Sequence, residues 1–394
     1  MNRFAFFLYI CVLFLLPAGR MLAADADSTG TDKLWVQIES LSFFKDNEFE
    51  GEQAKGYSLP GLWVRPLLAY QPLPAVRLEA GFHALIYDGA NKYPCYAYHD
   101  IGRWKGHQYQ RGAHVLPFFR ATARLKDCTF VLGDLYGPLQ HGVVEPLLNP
   151  ELELTQDPEM GFQLLVQRQR YHLDAWINWQ SYIFEEDTHQ EAFTVGVSQR
   201  IHLTPPHRAL RFYVPIDVLV QHRGGEQDAT DMGVQTLCNA AVGLGMEWHA
   251  DRRVLNSLSA DVLALGAWQQ SGHLWPFDTG GGVSCSASAV LWSDFRLFGG
   301  LAYVRDFVSL YGIPFYSILS QKHGARFSSM LTPHVGAEWC HTFARDYTLG
   351  AKIDAYPAVA GAMTKADGTR LPSAFSNNFS FGIYLRCSPR FRIK

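Results

Sequence analysis

The sequence predicts an all-β fold, a transmembrane antiparallel up-and-down β-barrel of about 16 strands, roughly 14–18. Three observations point there. Apolar and polar residues alternate with a period of two in run after run. Short turns and long loops join the runs in strict alternation. Beyond residue 26, no uninterrupted apolar run reaches the about 18 residues that a membrane helix needs.

Residues 171–201 show the pattern most plainly. Tyr171, Leu173, Ala175, Ile177 and Trp179 alternate with His172, Asp174, Trp176, Asn178 and Gln180. After a loop at 185–190, Phe193, Val195, Val197 and Ile201 alternate with Thr194, Ser198, Arg200 and His202. Each run suits a membrane-crossing strand of about 9–11 residues and exceeds the usual soluble strand of about 5–6. A one-residue slip would carry Asp174 and Arg200 into lipid, where a midplane Arg costs about 2–4 kcal/mol.

Residues 1–26 read as a signal peptide: Arg3, an apolar core over 4–17, then small residues at Ala23, Ala24 and Ala26. Residues 27–394 form a single barrel. Its first strand is expected near 34–44, its second through Leu62, Val64 and Leu68. The turn Gln71-Pro72-Leu73-Pro74 leads into a strand with Val76, Leu78, Phe82 and Ile86 on one face. Short turns recur at 126–127, near Arg170, and at 204–207, 251–253, 293–294 and 345–346. Long extracellular loops fall near 88–112, 137–159, 309–330 and 357–375, and a strand over 210–220 precedes a longer loop at 222–233. Residues 377–386 close the set. Pro66, Pro117, Pro215 and Pro333 sit inside strands, where each removes a ladder bond. Arg168 shares the parity of lipid-facing Phe162, Leu164 and Val166, close enough to a short turn to snorkel.

The same parity yields aromatic girdles. Tyr70, Tyr171, Trp248, Phe295, Phe343 and Tyr347 lie near short turns, and Trp179, Phe193, Trp268 and Phe379 near long loops. Aromatic content is 14%, charged content 18% and formal charge −3, which gives no reason to expect a nucleic-acid partner. Mean hydropathy near zero argues against a helical membrane protein but suits an alternating barrel. Cys95, Cys128, Cys238, Cys285, Cys340 and Cys387 follow the leader. Their strand parity fits small apolar residues, although an even count also permits disulfides.

Charged residues of the opposite parity are expected to line the lumen: Arg77, Glu79, Arg120, Arg124, His172, Asp174, Arg200, Arg211, Asp217, Glu247, Asp261, Glu338, Lys352, Asp354 and Arg386. Both signs are interspersed, so strong ion selectivity is not expected. Constriction candidates are Tyr96, Tyr98, Arg103 and Trp104 in one long loop and Tyr311 and Phe315 in another. His99, His107 and His114 lack a usual ligand spacing, so no metal site or cofactor is expected. The sequence holds no G-x-S-x-G, H-E-x-x-H or G-x-x-x-x-G-K-[ST] motif. Ser198 with His202, and His334 with Glu338, share faces at a four-residue offset of about 13 Å, too far for contact.

With these features the chain resembles the porin-like outer-membrane β-barrels of Gram-negative bacteria. The stretch from Asp134-Leu135-Tyr136-Gly137 to Glu145-Pro146-Leu147-Leu148-Asn149 looks like a family-specific loop. One departure is that the chain runs on through Phe391 to Lys394 instead of ending on an aromatic residue. The resemblance implies a passive channel for small polar solutes in the outer membrane and no enzymatic activity. The alternatives are an outer-membrane lipid hydrolase and a non-transporting scaffold for a surface complex. Expected partners are outer-membrane lipid and polar solutes, with a homo-oligomer or surface complex left open.

Overall fold

Alternation builds the wall, and proline and glycine mark where it bends. The computed structural model describes residues 32–88, 113–184, 189–225, 233–250, 252–321 and 325–393. Eight strands make the first half of the barrel: β1 (Lys33–Phe49), β2 (Tyr57–Leu73), β3 (Val76–Tyr87), β4 (Ala113–Leu125), β5 (Cys128–Asp134), β6 (Met160–Arg168), β7 (Tyr171–Ser181) and β8 (Ala192–His202). The second half follows: β9 (Leu210–Arg223), β10 (Gln235–His249), β11 (Leu255–Ser271), β12 (Thr279–Leu291), β13 (Phe295–Arg305), β14 (Met330–Phe343), β15 (Tyr347–Ala355) and β16 (Asn378–Cys387). Each pairs antiparallel with its chain neighbour, and β16 closes on β1 with Phe44 opposite Ile383. The result is a closed 16-strand antiparallel barrel. Closure leaves no open sheet edge, the condition for strands to cross lipid. Beyond β16, Arg390–Arg392 pairs with Trp35–Gln37, so the C-terminal extension lengthens the last strand.

The prolines stay in their strands, and the ladder lapses beside two of them. Pairing of β2 with β3 skips Arg65 and Pro66, and pairing of β9 with β10 skips Val214 and Pro215. Tight turns take left-handed conformations without glycine, as at Trp292-Ser293 (φ 49° and 69°) and Ala344-Arg345 (φ 51° and 58°). This is the hairpin geometry that matches strand twist. Outside, Leu68, Val115, Leu132, Val262, Val283, Ile353 and Ile383 are exposed to lipid, with Trp268, Phe343 and Phe379 toward the rims. Arg168 is largely exposed and pairs with Asp127 at 3.2 Å beside the short turn. The described cysteines, Cys128, Cys238, Cys285, Cys340 and Cys387, are unpaired thiols.

Inward aromatics lie across glycines on the neighbouring strand. Trp176 is opposite Gly196, where an added Cβ would sit 2.1 Å from its ring, and Tyr213 is opposite Gly245, where the gap would be 2.2 Å. These glycines are required by close approach, and the ring covers the backbone that they expose.

Candidate functional site

Two long connections turn into the barrel and fill its long-loop half. The first, residues 135–159, leaves β5 where Arg120 donates to the carbonyls of Asp134 (2.7 Å) and Leu135 (2.8 Å). It carries a 3-10 turn at Pro138–His141 and one helical turn at Leu152–Thr155. The second, residues 306–321, meets it: the Asn149 N–H donates to the Tyr311 carbonyl (2.8 Å), and the Ser309 hydroxyl to the Pro146 carbonyl (2.6 Å). The wall grips both. Asn239 donates to the Val308 carbonyl at 2.9 Å and accepts from the Leu310 N–H at 2.8 Å, while the Tyr311 hydroxyl meets Gln180 and Thr194. Leu147, Leu152, Phe307, Leu310, Phe315 and Ile318 thereby join Val131, Trp176, Leu219 and Val304 in one apolar core. Tyr311 and Phe315 are 4% and 1% exposed and belong to this plug. Tyr96, Tyr98, Arg103 and Trp104 lie outside the described residues.

His141 fastens the first connection to the wall. Nδ1 meets the Asp174 carboxylate at 2.8 Å, Nε2 meets Glu159 at 2.6 Å, and the ring stacks on Trp176 at 3.6 Å. Burial alone would lower its pKa, but Glu159 and Asp174 outweigh that and push it up to about 9. The ring is thus an imidazolium at neutral pH, with both nitrogens engaged as donors. It has no lone pair left to act as a base or bind a metal. Gln163 bonds Asp174 as well, at 2.9 and 3.0 Å, completing the lock.

Most of the charged lumen-parity residues are held by polar partners. Arg77 bonds Glu79 at 2.9 Å, with Arg120 3.6 Å from the same carboxylate. Glu247 takes Arg211 at 2.8 Å and Arg200 at 3.6 Å, while His172 packs edge-on against His202. Asp217 accepts the plug's Val144 N–H at 3.1 Å, Asp261 accepts from Tyr213 at 2.7 Å, and Glu338 from Tyr384 at 2.8 Å. Lys352 bonds Asp354 at 3.1 Å, and Arg386 forms a bidentate pair with the plug's Glu153. Arg124 lies exposed near the short-turn rim. His334 bonds Asp354 at 3.1 Å, lies 3.6 Å from Glu145, and stacks on Tyr356 at 4.3 Å. A cavity of about 480 Å³ lies between the plug and this wall, lined by Lys45, Glu145, Arg296 and Lys352 among others. Among the described residues, no group of three His, Cys, Asp or Glu side chains could hold a metal.

The lipid-facing side of the long-loop rim is built differently. A row runs across five strands, Trp179, Phe193, His222, Thr236 and Ser271, each the register partner of the next. His222 Nδ1 lies 2.9 Å from Thr236 Oγ1, and Nε2 lies 2.9 Å from the Gly224 carbonyl. A carbonyl can only accept, so Nε2 is the donor to Gly224. Trp179 and Phe193 pack at 5.0 Å, and Phe193 packs against His222 at 4.9 Å. One rung toward the membrane centre, Ile177, Val195, Val220, Cys238 and Trp268 make an apolar band.

A closed barrel with an apolar outer belt and inward-facing charge defines this molecule as an outer-membrane β-barrel protein. It belongs to the lipid A 3′-O-deacylase-type family, whose model matches residues 25–394. That membership overturns the expectation of a protein without enzymatic activity, because the family is an enzyme family. The expectation rested on soluble-enzyme motifs, and a site assembled across barrel strands need not carry them. No curated protein matches the chain. Similar solved structures include OmpT of Vibrio cholerae in its in-vitro folded trimer form, 10% identical, covering 90% of this chain and 100% of that one, TM-score 0.48. OprD of Pseudomonas aeruginosa is 7% identical, with 95% and 100% covered and a TM-score of 0.48. OccAB4 of Acinetobacter baumannii is 6% identical, with 93% and 100% covered and a TM-score of 0.45.

Proposed function

We propose that the protein is an outer-membrane esterase that uses water to remove the acyl chain ester-linked at the 3′ position of lipid A. The family match over residues 25–394 carries this reading. The plug supports it, since an apolar core inside the wall serves a channel poorly and an enzyme acting on the surrounding membrane well. The porin-like resemblance lies in the barrel architecture alone. In this reading the long loops face outward, the membrane lipid is the substrate, and soluble solutes need not cross.

Expression in a Gram-negative host whose lipid A carries a 3′-linked acyl chain tests the proposal. Mass spectrometry of extracted lipid A is expected to show loss of one acyl group at that position. Unchanged lipid A, with the heat-modifiable folded barrel present in the outer membrane, would overturn it.

A further inference from the structure

We propose that the lumen cavity beside Gly382 is a binding site for a small organic anion, a carboxylate or phosphate monoester carried on an apolar body. The site stands on the inner wall alone and is independent of the deacylase reading. Its volume of about 480 Å³ falls within the about 300–1,000 Å³ of small-molecule sites.

One inward rung across five strands supplies the charge. Lys45, Gly382, Lys352, Glu338 and Arg296 are successive register partners on β1, β16, β15, β14 and β13, and all five line the cavity. Strands about 4.8 Å apart put the backbones of Lys45 and Lys352 about 10 Å from each other, with the glycine between them. Gly382 leaves that gap open. Gly196, Gly245, Gly336 and Gly350 are covered by rings on the next strand, Trp176, Tyr213, Phe298 and Tyr384 in turn, within 2.4 Å of where a Cβ would stand. At Gly382 the nearest atoms are the Phe44 carbonyl oxygen at 3.2 Å and the Lys45 stem at 3.6 Å, with no ring among them. An anionic head placed there meets an ammonium group on either side.

The partners already present favour an anion over a cation. Each carboxylate of the lining meets a protein donor: Glu145 meets Tyr356, Glu151 meets Lys45, Asn47 and Tyr57, Glu153 meets Arg386, Glu338 meets Tyr384, and Asp354 meets Lys352. The cations are less fully used. Arg296 pairs with no carboxylate among the described residues, is exposed to solvent, and holds its guanidinium 5.2 Å from the Phe298 ring. Lys352 Nζ is 5.1 Å from the same ring. An ammonium has three donors; Lys45 and Lys352 each pair with one carboxylate, so both keep donors for a ligand. A guanidinium without a carboxylate suits two oxygens of a carboxylate or phosphate. Leu41, Phe43, Leu148 and Phe298 give the ligand's body an apolar surface.

Isothermal titration of the purified full-length protein in detergent micelles tests the site. Benzoate and phenyl phosphate are the anionic probes, and benzylammonium is the cationic control. Heat-modifiable migration reports that each variant has folded. The wild type is expected to bind one or both anions saturably and benzylammonium about tenfold more weakly or not at all. Gly382→Leu fills the gap without changing charge and should weaken anion binding by about tenfold or more. Arg296→Gln and Lys352→Gln should each weaken it by about tenfold, the loss for a charge-assisted hydrogen bond. Arg296 is exposed, so its variant keeps the test standing if Gly382→Leu does not fold. Unchanged anion affinity in folded Gly382→Leu or Arg296→Gln, equal binding of benzylammonium, or no binding of either anion by the wild type would overturn the site.

Discussion

His141 and His222 sit on opposite sides of the barrel wall and meet different partners. Inside, His141 has a carboxylate at each nitrogen and an indole beneath it. It is charged, saturated and fixed. On the lipid face, His222 has a carbonyl at one nitrogen and a hydroxyl at the other. The comparison teaches that carboxylate partners, more than burial, hold the His141 ring charged and make it a fastening. It also divides the barrel: the inner face holds a plug, and the outer face meets lipid.

The largest structural effect is expected from His141→Ala. The change leaves Asp174 and Glu159 facing each other without a cation, and breaking such a buried pair costs about 3–5 kcal/mol. The wall does not depend on this contact, so the variant is expected to keep heat-modifiable migration while its plug detaches. Planar-bilayer recordings should then show discrete conductance, with the wild type expected to be silent at neutral pH. A silent His141→Ala barrel would mean that the apolar core alone holds the plug.

A milder perturbation reaches the same lock through pH. His141 rises from an ordinary value of 6.5 to about 9 in the folded protein. Its contribution is therefore fully present below about pH 6.5 and lost as pH climbs through about 9. Wild-type bilayers should be quiet at pH 6 and begin to show openings above pH 9. His141→Ala should be insensitive to this range.

The smallest effect is expected at Arg168, whose pairing with Asp127 is solvent-exposed. Arg168→Ala should change neither conductance nor lipid A and shift stability by less than about 1 kcal/mol in a urea titration. A larger loss would mean that its long stem contributes packing at the rim.

Much of the wall was legible in the sequence, because parity alone separates Asp174 and Arg200 from lipid. The plug was less so. Leu147, Leu148 and Leu152 in one loop and Phe315, Tyr316 and Ile318 in another are apolar residues in segments that read as extracellular loops, and of these two only the second was expected to narrow the lumen, through Tyr311 and Phe315. Those runs were the available signal, but only the diameter of the closed wall decides that they fit inside. Trp176 was a second signal, a bulky indole among lumen-parity polar residues, opposite the strand glycine that makes room for it. The Thr236–His222 pair was hidden by strand ends. Reading β9 as 210–220 put His222 in a loop, whereas the ladder extends to Arg223 and aligns it with Thr236. Ser198 and His202 share a face as expected, yet His202 packs on His172.

One experiment weighs the outer face against the lumen in a single preparation. The wild-type barrel is inserted at neutral pH into a planar bilayer with lipid A in its outer leaflet. Current is recorded, and the lipid is then recovered for mass spectrometry. The expected result is lipid A short of its 3′ acyl chain and no discrete conductance. Steady conductance with intact lipid A would contradict the account.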